Sequence, residues 1–86
     1  MAITRKLKKI LEQRFPPPDK IELRDEDGII GVVTSTRFRG LDTMQRQKMI
    51  HDVLTSNLTG EERRRVLLIV GVTPEEELVN ARDGDD

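Results

Sequence analysis

Ile3, Leu7, Ile10, Leu11 and Phe15 recur at helical spacing, with Arg5, Lys6, Lys8, Lys9 and Arg14 between them. The pattern predicts an amphipathic helix running to about Arg14, with Thr4 as its N-cap. Pro16-Pro17-Pro18 ends it, because proline lacks an N–H and pushes the residue before it out of helical geometry. From Lys20 to Arg24, Ile21 and Leu23 alternate with polar residues, which predicts a half-buried strand. Asp25 to Gly28 reads as a tight turn, and the β-branched run Ile29 to Ser35 as the second arm of a hairpin. Gly31 inside that run marks a bulge or a close backbone approach.

Thr36 to Gly40 reads as a connecting loop. Asp42 and Gln45 have the spacing of a capping box opening a second helix. At about 100° per residue, Met49, Ile50, Val53 and Leu54 share one face of it. Met44, Gln47 and His51 form an adjacent ridge. Thr59 and Glu62 make a second capping box, for a short helix from Gly60 to about Arg64. Arg65 to Thr73 is nearly all apolar and predicts a strand covered or flanked on both sides. Thr73-Pro74 can start a last helical turn, with proline at its first position.

The order is α-β-β-α-α-β. A hairpin makes the first two strands antiparallel, and a helical crossover makes the third parallel to its neighbour. The expected fold is an α+β sandwich: a three-stranded mixed sheet with helices mainly on one face. One domain over residues 1–78 and an acidic, disordered tail over 79–86 account for the chain.

Composition narrows the chemistry. There is no cysteine, and so no disulfide, thiolate nucleophile or sulfur ligand. No apolar run approaches a membrane span, and the N-terminus lacks a signal-peptide core, so a cytoplasmic protein is expected. Residues 1–74 hold 14 Lys and Arg against 10 Asp and Glu, whereas 75–86 hold one Arg against six acids. Only Phe15 and Phe38 are aromatic, which argues against recognition of single strands by base stacking. The acidic turn Asp25-Glu26-Asp27 lacks calcium-loop spacing and reads as solvated. The basic face of the first helix reads as the wet side of an ordinary amphipathic helix rather than a lipid-binding one. With one histidine and no paired-carboxylate cleft, an enzyme is not expected.

Val33 to Leu54 resembles the BolA-like family. Ser35, Phe38, Gly40, Gln45 and Arg46 fall where that family has a serine, a Phe-x-Gly and the opening of a helix. Gly71 to Glu77 resembles its closing Thr-Pro-Glu-Glu segment, here Thr73, Pro74, Glu75 and Glu76. The element order agrees over roughly residues 3–78. The resemblance implies a BolA-like, KH-like (type II) fold. It also implies a non-enzymatic adaptor in iron–sulfur cluster or iron homeostasis, binding a monothiol glutaredoxin through Ser35, Phe38, Gly40, Arg46, Gln47, His51, Thr73 and Pro74. Such adaptors carry no cofactor of their own but can share a [2Fe–2S] cluster with glutaredoxin and glutathione. Family members usually have a histidine after the arginine, where this chain has Gln47. His51, one turn later on the same ridge, is the imidazole that could take that role. The free chain is expected to be a monomer.

The resemblance also implies an alternative: a stress-responsive transcription regulator that binds DNA through a helix-turn-helix-like surface. Arg37, Arg39, Arg46, Lys48, Arg63, Arg64 and Arg65 would then contact phosphates. The Gly-x-x-Gly clamp of RNA-binding KH domains is missing, since the segment between the second and third helices has one glycine, Gly60.

Overall fold

A computed structural model describes residues 3–78. Helix α1 (Ile3–Arg14) leads into the hairpin β1 (Lys20–Asp25) and β2 (Ile29–Thr34). Helices α2 (Thr43–Asn57) and α3 (Gly60–Arg64) then cross to β3 (Val66–Val72), and residues 74–78 add one more helical turn. The sheet order is β1-β2-β3, with β1 antiparallel and β3 parallel to the central β2. This is the expected three-stranded mixed sheet. The sequence calls for a disordered tail at 79–86, a segment outside the described residues.

One core joins helices to sheet. Leu7, Leu11 and Phe15 from α1 and its C-terminal exit meet Ile29 and Val33 from β2, Ile50 and Leu54 from α2, and Ile69 from β3. The stripe read on the first helix is therefore its buried face. Its start differs from expectation: α1 already includes Ile3, so Thr4 lies inside the helix and is not its N-cap. Both predicted capping boxes form, Asp42 with Gln45 and Thr59 with Glu62, each with the reciprocal side-chain and backbone bonds.

Two glycines of the hairpin have a steric reason. Gly28 has φ 135°, and a Cβ there would lie 2.4 Å from Leu67 Cγ. At Gly31 a Cβ would meet Leu23 Cδ2 at 2.5 Å and the Glu22 carbonyl at 3.1 Å, so the position is a close approach. The sheet irregularity sits instead between Ile29 and Ile30, where β2 pairs with β3.

The third strand is not covered on both sides. It is an edge strand, and Leu67 and Leu68 are 60% and 51% exposed. The helices cover only the sheet face that carries Ile69, Gly31 and Leu23. The opposite face presents Ile30 and Leu68, which are in register with each other. A run of apolar residues cannot distinguish one covered face from two. No helix among the described residues is long and apolar enough to cross a membrane.

Candidate functional site

The expected loop after β2 is an ordered turn. Ser35 continues the sheet by donating its N–H to the Val72 carbonyl (2.9 Å). Its hydroxyl accepts from Arg37 N (3.1 Å), capping a 3₁₀ turn over Thr36–Phe38, and donates to Asp19 Oδ2 (2.8 Å). A fully buried hydroxyl is thus satisfied as both donor and acceptor. The turn drives Phe38 inward, where its ring lies 5.3 Å from that of Phe15 and covers Gly71. A Cβ on Gly71 would lie 2.6 to 2.9 Å from three Phe38 ring carbons, so glycine is what lets the ring sit on β3. Gly40 follows at φ 77°, a left-handed conformation that returns the chain toward α2.

Arg46 joins this turn to the end of the chain. Its Nε donates to the Leu41 carbonyl (2.9 Å) and its Nη1 to the Gly71 carbonyl (3.1 Å). The same guanidinium grips Glu76 through two bonds, of 2.7 and 3.2 Å, and lies 5.9 Å from the Phe38 ring centroid. Only 15% of the Arg46 side chain is exposed. Glu76 in turn accepts from Thr73 N (2.8 Å) and donates its own N–H to Thr73 Oγ1 (3.2 Å), a third capping box. The Thr-x-x-Glu spacing of that box is legible in the sequence, although the reading there took only the proline as the helix signal.

The neighbouring acids are committed too. Glu75 binds Arg39, and Glu77 accepts from Thr34 Oγ1 (2.9 Å) and reaches Lys20 at 3.4 Å. Three consecutive glutamates therefore fix the turn at 74–78 to β1, β2, α2 and the end of the 3₁₀ turn. This changes the reading of charge along the chain: the first half of the acidic C-terminal stretch is matched by body cations.

These pairings set a pH dependence. The bond from Arg46, with help from Thr73 N, holds the Glu76 carboxyl down at about 2 from its usual 4.5. Arg39 lowers Glu75 and Lys6 lowers Glu62 in the same direction. A carboxyl whose pKa falls on folding contributes stability above its unfolded value and loses that contribution as pH drops toward its folded value. The urea midpoint should therefore be level near pH 6 and fall between about pH 4.5 and 2. Glu76→Gln should lower it at pH 6 and make the acid fall shallower; an unchanged slope would contradict the assignment.

Several residues expected at a partner surface lie inside the fold. Ser35, Phe38 and Thr73 are buried, and Arg46 and Gln47 are partly so. Gly40 and His51 are exposed, and Pro74 is half-buried. Sequence reasoning missed Met44 as a surface feature; it is 82% exposed in the first turn of α2.

Gln47 donates from Nε2 to the Ile69 carbonyl (3.0 Å), tying α2 to the outer edge of β3. Its amide is engaged, and the oxygen of an amide is a poor ligand for cluster iron. His51 lines a small groove with Gln47, Arg63 and Leu67. Among the described residues no group of three His, Cys, Asp or Glu side chains is placed to hold a metal. One exposed imidazole in a chain without cysteine does not fit a resident [2Fe–2S] cluster.

Of the seven basic residues considered for DNA, two are already paired within the fold. Arg39 and Arg46 are spent on Glu75 and Glu76. Arg37 and Lys48 are exposed near the start of α2, whereas Arg63, Arg64 and Arg65 lie beyond its far end, before β3.

Neither protein-family models nor curated proteins give a match to this chain. Solved structures do. The solution structure of mouse (Mus musculus) BolA1 superposes with a TM-score of 0.74 at 28% identity, over 94% of this chain and 72% of that one. The BolA domain of SufE1 from Arabidopsis thaliana gives 0.70 at 22% identity, over 88% of this chain and 96% of that one. BolA1 from the same plant gives 0.68 at 17% identity, with the same coverage of both chains. With the Ser35 to Arg46 turn and the Thr73 to Glu76 box folded together on this sheet, the chain has the BolA-like fold.

Proposed function

We propose that this protein is a non-enzymatic adaptor that docks a monothiol glutaredoxin and lends no ligand to its cluster. The observation that carries the reading is the convergence on Arg46 of the two segments that resemble the family, Ser35 to Arg46 and Thr73 to Glu76. The clamp presents Arg37, Gly40, Met44 and the turn at 74–78 on one end of the molecule. An exposed methionine in the first turn of a capped helix is a fitting anchor for a protein partner. The adaptor acts by contact alone, because Gln47 is bonded to β3 and His51 belongs to no group of three or more His, Cys, Asp or Glu side chains among the described residues.

Titration of the ¹⁵N-labelled chain with monothiol glutaredoxin lacking its cluster tests the docking. Saturable shifts are expected at Arg37, Gly40, Met44 and residues 74–78. Met44→Asp should weaken binding about tenfold with little change in stability, since the side chain is exposed. No shifts, or shifts confined to the α1 side of the molecule, would overturn the proposal.

A further inference from the structure

A second candidate surface lies at the other end of β3. A groove between α1 and α3 is lined by Ile3, Arg5, Lys9, Ile10, Arg64 and Arg65, among others. Its floor is apolar, from Ile3 and the half-buried Ile10. Lys6 crosses it to Glu62 at 2.8 Å, and Glu62 also caps α3, so the two walls are held at a fixed spacing. Arg5, Lys9, Arg64 and Arg65 are exposed and have no ion-pair partner among the described residues. At the opposite end of the sheet, by contrast, Glu75, Glu76 and Glu77 are all matched with cations. Four unmatched cations around an apolar floor repel one another and favour an anionic occupant with a greasy side.

We infer that the α1–α3 groove binds an acidic amphipathic peptide segment of a partner protein. The segment's apolar side chains rest on Ile3 and Ile10, and its carboxylates face Arg5, Lys9, Arg64 and Arg65. A nucleic-acid backbone fits less well. It would leave the apolar floor uncovered, and the groove offers no aromatic ring to a base. The groove opens at the start of β3 and the glutaredoxin platform at its end. Seven residues of strand separate them, roughly 23 Å, so the inference is independent of the platform and both surfaces can be occupied at once.

The test uses the full chain and a fluorescein-labelled helical peptide with leucines at i, i+3 and i+7 flanked by glutamates. Saturable binding is expected, with amide shifts confined to α1 and α3. The triple charge reversal Lys9→Glu, Arg64→Glu, Arg65→Glu should weaken it about tenfold or more, with the far-ultraviolet spectrum unchanged. Replacing the peptide leucines by serine should weaken it similarly, which separates groove binding from mere charge attraction. Three results would overturn the inference. Oligoglutamate of equal charge could bind as tightly, the shifts could fall outside α1 and α3, or a short DNA duplex could bind the same residues more tightly than the peptide.

Discussion

Phe38→Ala should remove most of the stability of this domain. The ring is fully buried, packs at a tilt against Phe15 and fills the space that Gly71 leaves on β3. Truncating such a ring costs about 3–5 kcal/mol, through lost transfer energy and the cavity left behind. Small domains hold only about 5–15 kcal/mol in total, and one of this size sits toward the low end. A large drop in the urea midpoint is expected, with much of the protein unfolded at 37 °C. Met44→Ala, at the exposed position in α2, should change the stability by no more than about 0.5 kcal/mol. Equal effects for the two would mean that the turn over Thr36–Phe38 does not bury its ring.

Arg46→Ala should be the next most damaging change, and its damage should spread along the chain. The side chain is mostly buried and serves two backbone carbonyls, a carboxylate and an aromatic face. Its loss leaves the Leu41 and Gly71 carbonyls without this donor, at about 2–3 kcal/mol for charge-assisted bonds. The Glu76 pair adds little to that figure because the carboxylate is half in water. Lysine should recover less than half of the loss, since a single ammonium cannot reach three acceptors in the fork geometry of a guanidinium. Urea unfolding gives the magnitude. Amide shifts at Thr73 and Glu76 in the still-folded fraction show whether the closing turn has been released. An Arg46→Ala protein with wild-type shifts there would refute the clamp.

Periodicity and caps made the elements legible. Asp42–Gln45, Thr59–Glu62 and the α1 stripe each rest on neighbours within a few residues, where local chemistry decides. What was not legible depends on distant partners. Nothing in Thr36 to Gly40 shows that Phe38 points inward, because the space for its ring is made by Gly71 on another strand. The glutamates at 75–77 read as part of an acidic stretch, and only the fold brings Arg39, Arg46 and Lys20 to them. For β3, composition gave the strand but not its edge position. The amide at Gln47 reads as a poor iron ligand from sequence alone; that it instead secures the Ile69 carbonyl is a fact of tertiary placement.

The most direct test of the account is to mix this protein with cluster-loaded monothiol glutaredoxin and record visible absorption and circular dichroism, for the wild type and for His51→Ala. Docking without ligation predicts that the cluster spectrum stays that of the glutaredoxin alone in both mixtures, while amide shifts still map the contact at the Arg46 clamp. A new cluster spectrum that disappears in His51→Ala would contradict it and make His51 the ligand that Gln47 is not.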